Sequence, residues 1–149
     1  MIELIKKESR ILGLDVGDKS LGIAISDIYG RIARGLEGVK FSKNSIEEKV
    51  EYVKKVAACH KVEKIVVGLP VNLKGNEDYQ AEKIHRFAEC LSSQISIPIV
   101  FFDERFSSVT AEKLLKEAKV SLNKRKKIRD KLAATIILQN FLDAEKSNN

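Results

Sequence analysis

The chain is poor in the residues that define several protein classes. It has two cysteines, Cys59 and Cys90, with no Cys-x-x-Cys spacing. That arithmetic indicates neither a disulfide scaffold nor a thiolate zinc site. Tryptophan is absent, and Tyr29, Tyr52 and Tyr79 are scattered, so there is no aromatic ladder on which single-stranded bases could stack. No apolar run approaches the ~18–20 residues of a membrane span. The first residues carry Glu3 and Glu8 around a short apolar centre and do not read as a secretory signal. A cytoplasmic protein is the expectation. There is no internal repeat, no low-complexity segment and no dividing linker.

What is present is the composition of a folded domain. Its 149 residues are 44% apolar, too apolar for a disordered chain. One domain spanning 1–149 is expected, because domains run to roughly 100–200 residues. At this size a chain buries roughly 68–70% of its unfolded surface and needs no metal or disulfide to hold a core. Positions 1–9 read as an extension and 145–149 as a tail expected to fray.

Charge is concentrated. From Lys113 to Lys131 there are nine basic residues against Glu117 and Asp130, a local +7; the whole chain carries +6, so the remainder sums to −1. The basic character is one patch, centred on Lys124, Arg125, Lys126 and Lys127. Such a patch suits a polyanion, nucleic acid being the commonest, or is simply a solvated helix face.

Hydrophobic periodicity orders the elements. Ile11–Val16, Leu21–Ser26 and Ile32–Phe41 read as three strands with short links, an antiparallel meander. Ser45, with Glu48 three residues later, makes a capping box for a helix whose stripe is Ile46, Val50, Val53 and Ala57. Lys64–Leu69 is a strand stopped by Pro70. The next helix carries Ala81, Ile84, Ala88 and Leu91 on one face, with His85 at the core edge. His60 ends the first helix, and Cys90 is a small helix residue. Pro98 opens the strand Ile99–Phe102. Two helices follow, near Val109–Ala118 and Lys126–Ala144. The order β-β-β-α-β-α-β-α-α predicts an α/β fold, a mixed five-stranded sheet flanked by helices.

Three acids stand out against this frame. Asp15 lies within the apolar run Ile-Leu-Gly-Leu-Asp-Val-Gly, near a strand's carboxyl end, with Gly17 two residues on leaving room for close approach. It either caps a turn or serves a site. Asp103-Glu104-Arg105 follows the last strand directly and either sits at a comparable end or favours the next helix dipole. Asp130 begins the stripe Ala133, Ala134, Ile137, Leu138 and Phe141. If Asp15, Glu104 and Asp130 gather at one sheet edge, their repulsion calls for a cation, and oxygen ligands suit Mg²⁺ or Mn²⁺. Two such ions about 3.5–4 Å apart would clamp the attacking and leaving oxygens of a phosphodiester. The basic patch would hold the strand.

These residues resemble the YqgF (RuvX) family of pre-16S ribosomal RNA nucleases and Holliday-junction-resolvase-like proteins. The resemblance runs from about Arg10 to Asp143. It rests on Arg10–Asp27, on Val67-Gly-Leu-Pro-Val-Asn72 with Gly75, on Asp103-Glu-Arg105, and on Lys126–Ala134 leading into Ile137–Asp143. It implies an RNase H-like fold of the resolvase type. It also implies a cytoplasmic, divalent-metal nuclease that matures the 5′ end of pre-16S ribosomal RNA, or resolves branched DNA. By motif position, the catalytic roles fall on Asp15, Glu104 and Asp130, and phosphate contacts on Lys19 and Arg105. The choice of Glu104 over Asp103 comes from the same match. Asn72 matches the loop asparagine without a derivable role. The departures are small: Leu-Lys-Gly-Asn-Glu-Asp-Tyr follows Asn72, and Ser107-Ser108 stands where Thr-Thr is common. Either a monomer or a homodimer fits. The Asp15-x-Gly17 turn also resembles the first phosphate loop of actin-like ATPases and sugar kinases, whose second lobe 149 residues cannot supply. A nucleic-acid-binding module without catalysis is the remaining alternative.

Overall fold

The computed structural model describes residues 9–70, 79–103 and 121–147, of which 122–130 and 147 are described by their backbone alone. Five strands and three helices are seen there: β1 (Arg10–Val16), β2 (Ser20–Ser26), β3 (Ala33–Lys40), α1 (Ile46–Cys59), β4 (Val62–Leu69), α2 (Tyr79–Ser92), β5 (Ile99–Asp103) and α3 (Leu122–Ser147). The helix expected near Val109–Ala118 lies outside the described residues.

The strands form one sheet in the order β3-β2-β1-β4-β5. β1 to β3 pair antiparallel as a meander, and β4 and β5 add parallel to β1. The mixed five-stranded sheet is therefore as the periodicity predicted. The parallel strands run as short apolar blocks because helices cover both faces. On one face Leu12, Leu14, Leu21, Ile23, Ile65 and Val67 pack against α1 and α2. On the other, Ala24 and Val66 meet Ala134, Ile137, Leu138, Phe141 and Leu142 of α3. The stripe read on the last helix is thus its sheet-facing side.

α1 starts as its sequence dictates. Ser45 takes an extended conformation, and its Oγ accepts from the Glu48 N–H at 3.2 Å. The same hydroxyl donates to Glu47 Oε2 at 3.3 Å. Val50, Val53 and Ala57 are buried as predicted, and so is Lys49. In α2 the buried face includes Phe87 beside Ala81, Ile84, Ala88 and Leu91. His85 is half-buried, with its ring 4.6 Å from that of Phe101, so it does stand at the core edge. α3 runs further at both ends than the stripe indicated, from Leu122 to Ser147. Lysine, arginine and glutamate are good helix formers, which lets both ends extend past the apolar stripe.

Small residues set how close α3 lies. A Cβ built on Gly13 would stand 2.7 Å from Leu138 Cβ and 3.4 Å from the Ala134 carbonyl oxygen. Only a bare Cα in β1 admits the helix at this distance. On β3, the Ala33 N–H donates to Gln139 Oε1 at 2.8 Å, and Gln139 Nε2 donates to the Arg31 carbonyl at 3.0 Å. These bonds fix the register of α3 along the sheet.

Candidate functional site

The register decides which end of α3 meets which end of the sheet. Gln139 lies by the start of β3, and Lys131 and Thr135 lie over Gly35 further along it. β3 runs parallel to β1, since both are antiparallel to β2. α3 therefore runs antiparallel to β1, its amino-terminal turns over the carboxyl end of that strand. Asp15 stands at that end, paired across the sheet with Gly22 and half-buried. Strand alternation puts it on the same face as Gly13, two residues earlier, and so on the α3 side. Position 130 lies one turn before Ala134, which touches Gly13. The helix backbone at Asp130 and the strand at Asp15 thus approach the same edge; the Asp130 side chain lies outside the described residues.

β5 supplies the third segment. It runs parallel to β4, which runs parallel to β1, so β1 and β5 end on one edge, roughly 10 Å apart across one intervening strand. Asp103 closes β5, exposed and opposite Leu69. Phe101 packs on His85 of α2, whereas Val100 and Phe102 pack with the α3-side cluster. Alternation therefore turns Asp103 to the α1/α2 face, away from the face of Asp15. Glu104, Arg105 and Asn72 lie outside the described residues. Lys124, Arg125, Lys126 and Lys127 fall in the first turns of α3, their side chains likewise outside them. Among the described residues no group of three histidines, cysteines or acids is placed to hold a metal ion.

The β1–β2 turn is held by its own atoms. Gly17 N–H donates to the Ser20 carbonyl at 2.9 Å, and a Cβ on Gly17 would collide with Ser20 Oγ. The space that Gly17 leaves is filled from within the hairpin. Lys19 is exposed at the turn, and its carbonyl accepts from the Phe41 N–H at 2.8 Å.

A cavity of about 190 Å³ opens on the other face of this edge, between the turn and the two helices. Its polar lining includes Asp18, Asn44, Lys49, Lys83 and Arg86. Lys83 Nζ lies 3.2 Å from Asp18 Oδ1, and this ammonium holds the Asp18 carboxyl below its usual range. Sequence periodicity passed over this group. Its signal was Lys49 itself, which occupies the i+3 position of the stripe begun by Ile46 and is only 3% exposed.

Comparison with known proteins fits this architecture. A family model for RuvX, described as Holliday junction resolvase, matches residues 9–144. The chain belongs to the RuvX family. A relative from Caldanaerobacter subterraneus subsp. tengcongensis, named a pre-16S rRNA nuclease, is 46% identical over 140 residues, covering 93% of this chain and 99% of its own. One from Clostridium novyi with the same name is 44% identical over 135 residues, covering 91% and 98%. Among solved structures, T. thermophilus RuvC in complex with a Holliday junction superposes with a TM-score of 0.58 at 17% identity, covering 93% of this chain and 96% of that one. The Fowlpox virus resolvase bound to junction DNA gives 0.58 at 13%, covering 91% and 98%. This RuvX chain has the RNase H-like fold of those resolvases. No helix among its described residues is long and apolar enough to cross a membrane.

Proposed function

We propose that this RuvX chain is a divalent-metal-dependent endonuclease that trims the 5′ end of pre-16S ribosomal RNA in the cytoplasm. One observation carries the reading. Asp15 sits on the α3 face at the carboxyl end of a central strand, and the amino-terminal turns of the helix bearing Asp130 lie over that same end. Asp15, Asp130 and Glu104 are the proposed ligands of one or two Mg²⁺ or Mn²⁺ ions. Alternation supports Glu104 over its neighbour, because Asp103 turns to the opposite face. Carboxylates brought together raise one another's pKa, and a hard cation relieves that repulsion. When bound, such ions polarise the phosphoryl oxygens and activate a water. The chain's own part is to hold the oxygens in place, with the sheet edge as a rigid mount. Lys19 and Arg105 contact phosphates beside the scissile bond. Lys124, Arg125, Lys126 and Lys127 hold the strand by its backbone, which positions it without reading its sequence.

The names of the curated relatives support RNA as substrate. The description of the family model supports a second reading, cleavage of four-way DNA junctions. One assay separates them: precursor RNA and a synthetic junction, each incubated with Mn²⁺ or Mg²⁺. RNA cleavage by the wild type and its loss in a folded Asp15→Asn variant are expected. Junction cleavage alone would move the assignment to DNA. Wild-type rates in Asp15→Asn would overturn the mechanism.

A further inference from the structure

The cavity beside the β1–β2 turn has no part in that mechanism, yet its residues are expensive to keep. Lys49 is buried, and its Nζ donates to the Asp18 carbonyl at 2.6 Å and to Asn44 Oδ1 at 2.9 Å. Both acceptors are neutral. A buried ammonium costs stability unless a charge partner compensates it. The Asp18 carboxylate, half exposed, is turned to Lys83 instead. Arg86, the third cation, pairs with Glu82 at 3.0 Å in an exposed i,i+4 bridge, a weak partnership that is readily exchanged. Among the described residues, the lining thus sets three cations against one carboxylate. Asn44 and Ile46 bring the amino-terminal end of α1 to the same wall, the positive end of its dipole.

We propose that this recess binds a phosphate monoester, gripped by Lys49 and Lys83 with Arg86 at its mouth. Charge and size both argue for it. A dianion offsets the two charges by which the described cations of the lining outnumber its carboxylate, once Arg86 exchanges Glu82 for it. A volume of about 190 Å³ is small beside the ~300–1,000 Å³ of ordinary ligand pockets, so it admits a phosphoryl group and not a whole nucleotide. Val16, Ile84 and Phe87, all buried, complete its lining with apolar surface. A backbone diester brings one negative charge and two ester arms, whereas a chain-end or free phosphate brings a charge of about −1.5 to −2 and at most one arm. Burial pushes the Lys49 ammonium below its ordinary range, with Asp18 pulling it up and Lys83 pushing it further down. An incoming anion would reverse that. Asp18 is the resident competitor, which must release Lys83 when phosphate enters. Val16 and Asp15 are adjacent and face opposite sides of β1, so a strand crossing this edge could seat its terminal phosphate here; that role rests on the nuclease reading, while the site does not.

Calorimetric titration of the full chain with inorganic phosphate tests the site. The wild type should bind one equivalent. Lys83→Gln should weaken binding about tenfold, the loss of one charge-assisted hydrogen bond. Asp18→Asn should tighten it, and Lys55→Gln, on the exposed face of α1, should leave it unchanged. Lys49→Met should abolish binding while melting no lower than wild type, since a well-packed apolar replacement removes the buried charge. If that variant does not fold, Lys83→Gln still decides. No binding by the wild type, or equal affinity in Lys83→Gln, overturns the proposal. A second arm, with chelator present to prevent cleavage, compares RNA oligonucleotides bearing a 5′-phosphate or a 5′-hydroxyl. A phosphate preference lost in Lys83→Gln identifies a strand end as the ligand. Equal binding of the two, with inorganic phosphate still bound, identifies free phosphate at the same site. Cleavage by Asp15→Asn tests the nuclease reading separately, because Asp15 does not line the recess.

Discussion

Gly13→Ala puts one methyl group where β1 meets α3. Its Cβ would lie 2.7 Å from Leu138 Cβ and 3.4 Å from both Leu138 Cγ and the Ala134 carbonyl oxygen. Non-bonded carbons rest at about 3.5–4.0 Å, so close to 1 Å must be found. Rotating Leu138 cannot supply it, because Cβ is fixed to the helix backbone. Either α3 lifts or β1 bends. Lifting α3 loosens Ala24, Val66, Ala134, Ile137 and Leu138, all fully buried. Overpacking of this kind costs about 1–3 kcal/mol. The opposing gain, a stiffer unfolded chain, is only about 0.4–1 kcal/mol. The net effect is a loss, and at roughly 2–4 °C per kcal/mol for a chain this size it lowers Tm by a few degrees. Urea and thermal unfolding measure it. Leu138→Ala keeps the offending Cβ, so a double-mutant cycle should show Gly13→Ala still costly in that background. Cleavage should fall further than the folded fraction does, because Asp15 and position 130 flank the displaced helix–strand junction. An unchanged denaturation midpoint, or full rescue by Leu138→Ala, would refute this account of helix spacing.

Three further outcomes are expected. Ser45→Ala removes the acceptor for the Glu48 N–H and should cost about 0.5–2 kcal/mol by chemical denaturation, with m unchanged. Asp27 Oδ1 accepts from Ile32 N–H at 3.0 Å and Arg31 N–H at 2.7 Å, and these bonds, that of Ile32 first, hold its carboxyl below its usual range. A depressed folded pKa stabilises at pH above the unfolded value near 3.8 and is lost as pH falls through the lower folded value. Stability measured below pH 4 should therefore decline less steeply in Asp27→Asn. Neutralising Lys124, Arg125, Lys126 and Lys127 together should flatten log affinity for RNA against log salt, by roughly 0.7 for each phosphate that no longer meets a cation. An unchanged slope would make the patch a solvated surface.

Sequence alone determined the sheet and most of its packing, because both rest on local chemistry. Short apolar runs bounded by turn residues and prolines marked the strands. Ser45 began α1 where its hydroxyl could reach the Glu48 N–H. The i, i+3, i+4 spacing on the last helix predicted its sheet face, from Ala133 to Phe141. Periodicity gave no weight to Lys49, because a lysine on an apolar stripe looks like a flaw in the stripe. Only the tertiary fold showed the Asp18 carbonyl and Asn44 drawing its ammonium into a cavity. Sequence also left Asp103 and Glu104 as equals on residue chemistry, since both are acids at one strand end. The side to which Asp103 turns depends on which helix covers each face, and a chain has faces only once folded. Spacing along the polymer fixes what each segment buries; the register between α3 and β1 fixes which charges can meet.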